Sequence, residues 1–350
     1  MGQAISTKQY LINGIHELIY NNVFCSDPQS RYWSNVAANG YERRFIGYRA
    51  ELEFRILMDS YKIERLDGGW MLPRKKGKRC LDESSVYFTI SSNPHKIYQG
   101  IYSLLEKIRF ERMFFIEYLP EPEISRWEVE DLYGTGIMIP HPSYRCYEFK
   151  RNAFVDVSGG RCNIGALLEL YNRKETPYRA SYSLNQDPPS FAETMLGTYP
   201  LEYLVDILAN RFIFDGLLGM NVEKGIPSDI DLIIERNGSL SLVETKEKDI
   251  SKREPVGFGM DVDRMKDMLA IEERTGLPYY YVVREVNNQV ERKFLGWRRI
   301  AIRRFYDLTR GYGTIEGGTG MATARNTDHP TLVAPAQHFQ IICSPSDLNI

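Results

Sequence analysis

The chain has 350 residues, 43% hydrophobic and 26% charged, a composition that excludes wholesale disorder, a collagen-like repeat and a coiled-coil rod. At ~150 residues per domain it makes two domains or one large one. Forty-four Lys and Arg against 46 Asp and Glu leave a net charge of −2, which excludes a chain coated in positive charge but not a local basic patch. No apolar run reaches about eighteen residues, so no membrane span is expected. The opening MGQAISTKQY lacks the apolar stretch of a secretion signal. The five cysteines form no C-x-x-C pair and the five histidines show no metal spacing, so zinc sites are not expected and a reduced, cytoplasmic setting is.

Apolar periodicity predicts a helix over Tyr48–Tyr61, with Leu52, Ile56 and Met58 among its apolar positions. A turn at Asp67-Gly68-Gly69 and a basic loop, Arg74–Arg79, follow. Val86–Ile90 reads as a strand, Ile97–Met113 as an amphipathic helix and Phe114–Leu119 as the strand after it. Residues 120–145, with four prolines, read as loop-rich. A strand at Arg145–Lys150 and a turn at Gly159-Gly160 come next, and Asn185–Ser190 is the best linker candidate. Beyond it the spacing predicts a helix over Leu201–Phe214, a short strand around Asn221–Lys224, and strands at Asp229–Glu235 and Ser239–Lys246. A helix over Asp261–Thr275, stopped by Gly276 and Pro278, then leads to a strand at Tyr279–Val283. The class is therefore mixed α/β, divided near residues 1–190 and 191–350, though the two parts can interleave.

Ser228–Lys246 carries the most chemistry. Asn237-Gly238 between two apolar-rich runs signals a two-residue hairpin loop. Arg236 then pairs with Ser239, and the same register sets Asp231 opposite Glu244 and Asp229 opposite Lys246. With a side-chain period of two, all four share one face. Two opposed carboxylates repel at a Cβ separation of ~4.5–5.5 Å. A divalent cation reverses the sign, and Mg²⁺ takes oxygen ligands of this kind together with phosphate and water. Lys246 would reach a metal-bound water or a phosphate oxygen, which assembles what phosphodiester hydrolysis needs. The same E-x-K pattern recurs at Glu148–Lys150 and Glu291–Lys293, but neither copy has an aligned opposing acid.

Ile226-Pro227-Ser228-Asp229-Ile230-Asp231 with Val243-Glu244-Thr245-Lys246 resembles the PD-(D/E)XK nuclease superfamily. So does the surrounding order of helix, three strands, helix and strand, over roughly residues 200–285. The resemblance implies a restriction-endonuclease-like core with a central mixed sheet flanked by helices. It implies Asp231 and Glu244 as ligands of Mg²⁺, with Mn²⁺ a possible substitute, and Lys246 as the catalytic lysine. Ser228 departs from the family pattern and leaves two aspartates in competition; register favours Asp231, with Asp229 as runner-up. The family often adds a glutamate from the first core helix, for which Glu51 and Glu202 are the candidates. Glu51 has the more family-like surroundings but requires a long insertion before the hairpin.

From Arg292 to Phe305 six basic residues run without an acid, a segment suited to phosphate contact. Arg298, Arg299, Arg303, Arg304 and Lys248 are the candidates for touching DNA. The resemblance implies a type II restriction endonuclease, a homodimer on double-stranded DNA that uses its N-terminal region for recognition or dimerisation. Three alternatives stay open: a repair, junction-resolving or phage-type nuclease; a DNA-binding module with inert acids; and an interaction protein with no nucleic-acid partner.

Overall fold

The computed structural model describes residues 6–24, 31–73, 81, 83–120, 124–132, 136, 138–157, 188–218, 227–252, 254–310, 315–316 and 330–343. The basic loop Arg74–Arg79, the Gly159-Gly160 turn and the short strand around Asn221–Lys224 lie outside them. The protein is mixed α/β, with a large mixed sheet flanked by helices. In chain order the first elements are α1 (Thr7–Phe24), α2 (Arg31–Ser60), β1 (Glu64–Leu72), β2 (Val86–Ser91), α3 (Gln99–Leu105) and β3 (Arg112–Leu119). Then come β4 (Glu128–Glu130), β5 (Ile139–His141), β6 (Ser143–Lys150), β7 (Ala153–Asp156), α4 (Pro188–Leu196) and α5 (Leu201–Arg211). The last third holds β8 (Ser228–Arg236), β9 (Ser239–Asp249), β10 (Gly257–Asp261), α6 (Val262–Thr275), β11 (Tyr279–Val286) and β12 (Phe294–Ala301). It ends with α7 (Ile302–Thr309), β13 (Ile315–Glu316), β14 (Pro330–Pro335) and β15 (Gln340–Cys343). Among the described residues no helix is long and apolar enough to cross a membrane.

Two compact units interleave in sequence: residues 1–49 with 69–228, and residues 50–68 with 229–350. The chain therefore does not divide at 190/191, and the division passes through α2 and β1. The first unit orders its strands as the second half of β1, then β2, β3, β6 and β7. β2 and β3 run parallel, which requires a crossover, and α3 supplies it. The helix expected over Ile97–Met113 is shorter than its periodicity suggests. A 3₁₀ turn ends it at Arg109, whose φ of 64° reverses the chain in time for β3. Within this unit Asp215 is buried between Arg44 and Arg211, at 2.9 and 3.5 Å. The Arg211 guanidinium lies over the rings of Tyr48 and Trp70.

The second unit orders its strands as β15, β12, β11, β9, β8 and the first half of β1. β8 and β9 form an antiparallel hairpin, and β9 and β11 run parallel. One face is closed by the last turns of α2, where Phe54, Leu57 and Met58 join Leu232, Val243, Val282 and Trp297 in one buried cluster. The helix is also held by charge. Arg284 on β11 donates to Glu53 at 2.5 Å and to Glu247 at 3.0 Å, and Glu247 accepts from Arg292 at 2.6 Å. α6 buries Met265, Met268 and Ile271 and stops at Gly276, whose φ is 76°.

The expected turn at Asp67-Gly68-Gly69 is instead the middle of β1. Gly68 is needed there for closeness: a Cβ would stand 1.7 Å from the carbonyl oxygen of Ile230 on β8. Gly47, inside α2, has open space around it. Gly68→Ala is therefore expected to cost about 3 kcal/mol or more by forcing two backbones apart. Gly47→Ala is expected to stabilise by about 0.5–1 kcal/mol through helix propensity. Thermal unfolding of the two variants, read beside the parent chain, checks the opposite signs.

Candidate metal centre

The centre is built on the β8–β9 hairpin. Asn237 and Gly238 form its loop with φ of 53° and 73°. Those are the two left-handed residues a tight hairpin of this twist requires. The ladder runs from Arg236–Ser239 to Leu232–Val243, as the register argument expects. The backbone pairing stops one step short of Asp231 and Glu244. There the Asp231 side chain enters the ladder itself, its Oδ2 accepting the backbone N–H of Thr245 at 2.5 Å. Asp231 and Glu244 are 8% and 1% exposed. Asp229, Asp231 and Glu244 each present a carboxylate oxygen within 4.8 Å of the other two.

Two cations face these acids. Lys246, two residues beyond Glu244 on the same face, places Nζ 2.7 Å from Glu244 Oε1. Arg264 comes from the first turn of α6. Its Nη2 donates to Glu244 Oε2, to Asp229 Oδ1 at 2.9 Å and to the Asp229 carbonyl oxygen. No reading of the sequence foresaw Arg264. The available signal was a cation in a helical first turn, where the dipole favours anions; it makes sense only when carboxylates stand close by.

Burial, then the charge of Glu244, pushes the Asp231 carboxyl well above its ordinary range, although Lys246 pulls the other way; Asp229 and Glu51 add to the push. Burial works against the charged Lys246 ammonium, but Glu244, Asp231 and Asp229 outweigh it and hold its pKa above the ordinary value. Glu244 and Asp229 likewise outweigh burial for Arg264. The two helix glutamates separate here. Glu51, on α2 of the same unit, lies close enough to act on Asp231. Glu202 is exposed on α5 and belongs to the other unit.

The donor set fits a hard divalent cation. All donors are carboxylate oxygens, which suit Mg²⁺ or Mn²⁺. Among the described residues, the buried Oδ1 of Asp231 has no hydrogen-bond partner. An orphaned carboxylate oxygen in a buried acidic cluster is costly unless something cationic meets it.

The other two E-x-K copies are used differently. Glu148 is held by Arg112 at 2.9 Å and by Lys150 at 2.6 Å. Burial raises its pKa, yet these two cations bring it below the ordinary value. Glu291 is exposed and accepts a hydrogen bond from Asn287.

The basic run of 292–305 is less free than it reads. β11 and β12 pair antiparallel, which brings Glu285 to Arg298. Arg303 meets Glu272 of α6, and Arg292 meets Glu247. Arg299 donates to Gln340 at 3.0 Å and lies over the Tyr280 ring. Arg304 and Lys248 are exposed.

No family model matches the chain, and neither does any curated protein or solved structure.

The raised carboxyl of Asp231 has a consequence for stability. The folded chain holds that proton more tightly than the unfolded chain does. Stability therefore falls as pH rises through the ordinary carboxylate range toward the raised value, and the loss persists above it. Asp231→Asn keeps an acceptor for Thr245 and removes the titration. In EDTA at neutral pH it is expected to raise the melting temperature by about 1–2 °C, the shift of ~1 kcal/mol in a chain of this size. The gain should widen as pH rises above the ordinary carboxylate range; melting curves in which the two proteins stay parallel as pH rises would contradict it.

Proposed function

We propose that this protein is a divalent-metal-dependent endonuclease of the PD-(D/E)XK type, which hydrolyses phosphodiester bonds of double-stranded DNA. The observation that carries the reading is the set of Asp231, Glu244 and Lys246 on one hairpin face, with a buried Asp231 oxygen that lacks a partner. The second unit supports it by its order of elements. In the large sheet the end of α2 with Glu51, β1, β8, β9, α6 and β11 make helix, three strands, helix and strand, with β10 set apart in a smaller sheet and residues 69–228 as one long insertion. This order supports a restriction-endonuclease-like reading in which α2 takes the place of the helix at Leu201–Phe214.

Asp231 and Glu244 would hold Mg²⁺, or Mn²⁺ in its place, with Glu51 as a nearby acid. When bound, the metal would supply Lewis-acid polarisation of the phosphate and stabilise the leaving oxygen. Lys246 is the cation that reaches outward, its side chain 43% exposed while Glu244 beside it is buried. Lys246 would orient the attacking water or steady the phosphate with its positive charge. A two-fold homodimer reading a palindromic site is the simplest use of the large first unit. Exposed Arg304 would be available to the backbone of the DNA.

Incubating the protein with phage DNA, with Mg²⁺ or with EDTA, tests this directly. Discrete fragments only with Mg²⁺ are expected, a smear would indicate a nonspecific nuclease, and intact DNA in both would sink the reading. Lys246→Ala is expected to lose about 10²–10⁴ in cleavage rate while retaining DNA binding. Glu291→Ala, exposed and away from the hairpin, should cut like the parent chain. Glu148→Ala is a poorer control, because it strands Arg112 and costs stability.

A further inference from the structure

We infer that Arg264 is a positioning residue of the metal centre, whose guanidinium orders Asp229 and Glu244 and competes with the divalent ion for their oxygens. The inference rests on the nuclease reading and deepens it. A single nitrogen, Nη2, meets three oxygens from residues on two strands: Oδ1 and the carbonyl of Asp229, and Oε2 of Glu244. The other oxygen of Glu244 lies 2.7 Å from Lys246. Both oxygens of this buried carboxylate therefore face a protein cation, and a metal ion must share or displace one of them.

The same contacts separate the two aspartates that compete in the sequence. Asp229 is the anchor of the guanidinium, by side chain and by backbone. Asp231 touches neither cation at ion-pair distance; among the described residues its buried Oδ1 has no hydrogen-bond partner, and neither has Glu244 Oε1, but that oxygen has Lys246 beside it as an ion pair. Asp231 is thus the ligand ready for a metal, and Asp229 the tether that keeps Arg264 aimed at Glu244. Arginine suits this position because its charge is permanent and its guanidinium is weakly hydrated, so it stays charged while buried beside two acids.

An internal competitor weakens metal binding in the absence of substrate. A DNA phosphate supplies further oxygen ligands to the metal, so the ion is retained where there is something to cut. Removing the guanidinium should then move affinity and turnover in opposite directions. The test is Mn²⁺ binding to the full-length chain, read by the electron paramagnetic resonance of free Mn²⁺, alongside cleavage rate, for the parent, Arg264→Met and Arg264→Gln. Each uncharged variant is expected to bind Mn²⁺ roughly tenfold more tightly, since one unit charge a few ångströms from the ion is gone. Each is also expected to cut roughly tenfold more slowly, because Glu244 and Asp229 are no longer ordered. Arg264→Lys, which keeps the charge, should return Mn²⁺ affinity to near the parent value. Unchanged or weaker Mn²⁺ binding in a folded uncharged variant overturns the role of Arg264 while leaving the nuclease reading intact. A parent chain that binds no Mn²⁺ overturns both. The Gln variant keeps the experiment decisive if the Met variant does not fold.

Discussion

The second unit is organised around a repulsion. Asp231 and Glu244 are carboxylates on neighbouring strands, both buried, with Asp229 beside them and Glu51 near enough to act. Two charged carboxylates opposed across a sheet destabilise it, a low-dielectric surrounding makes the cost larger, and the Asp231 carboxyl responds by keeping its proton well above the ordinary range. Nothing about packing requires the arrangement, since apolar residues fill the adjacent ladder positions Leu232, Ile233, Leu242 and Val243 without difficulty. The rest of the local structure is a response to it. Lys246 and Arg264 approach from strand and helix, and Thr245 lends its backbone N–H to Asp231.

How that place came to be readable is instructive. A two-residue loop with both φ values positive is almost dictated by Asn-Gly, and once the loop is set the alternation of side chains has no freedom left. Residues 228–246 were therefore legible from local rules. α6 and β11 were legible for a similar reason, because Gly276 and Pro278 punctuate a clear change from helical to strand spacing. The partners of the hairpin were not. The helix that covers one face of its sheet ends at Ser60 and the strand beside it lies within residues 64–72. Their link to Asp229 is made through space, across the whole first unit, and no local period carries it.

Failures elsewhere share the same cause. Gly68 and Gly69 look like a turn when only their own flexibility is considered. The constraint that selects Gly68 is the backbone of Ile230, more than 160 positions later. Arg298 and Arg303 look like free positive charge when only the stretch between Glu291 and Asp307 is read. Their counter-charges, Glu285 and Glu272, arrive from β11 and α6. In both cases the residue type was informative and its reason was non-local. Arg264 is the sharpest instance, since a cation in a helical first turn contradicts the local preference and is explained only by two acids on other strands.

The two cations do not have the same task. Lys246 has a flexible stem and 43% of its side chain in solvent, so it keeps freedom to move. Arg264 has 16% of its side chain exposed and three acceptors on one nitrogen, so its position is fixed by the fold. Exchanging them would fail on physical grounds. A lysine in the place of Arg264 would carry the same charge on a strongly hydrated ammonium, which is costlier to bury beside Asp229 and Glu244. A planar arginine in the place of Lys246 would bridge Glu244 rigidly and give up the reach toward solvent. The choice of side chain at each position thus follows from whether the acid beside it must be held still or must share its charge with something that comes and goes.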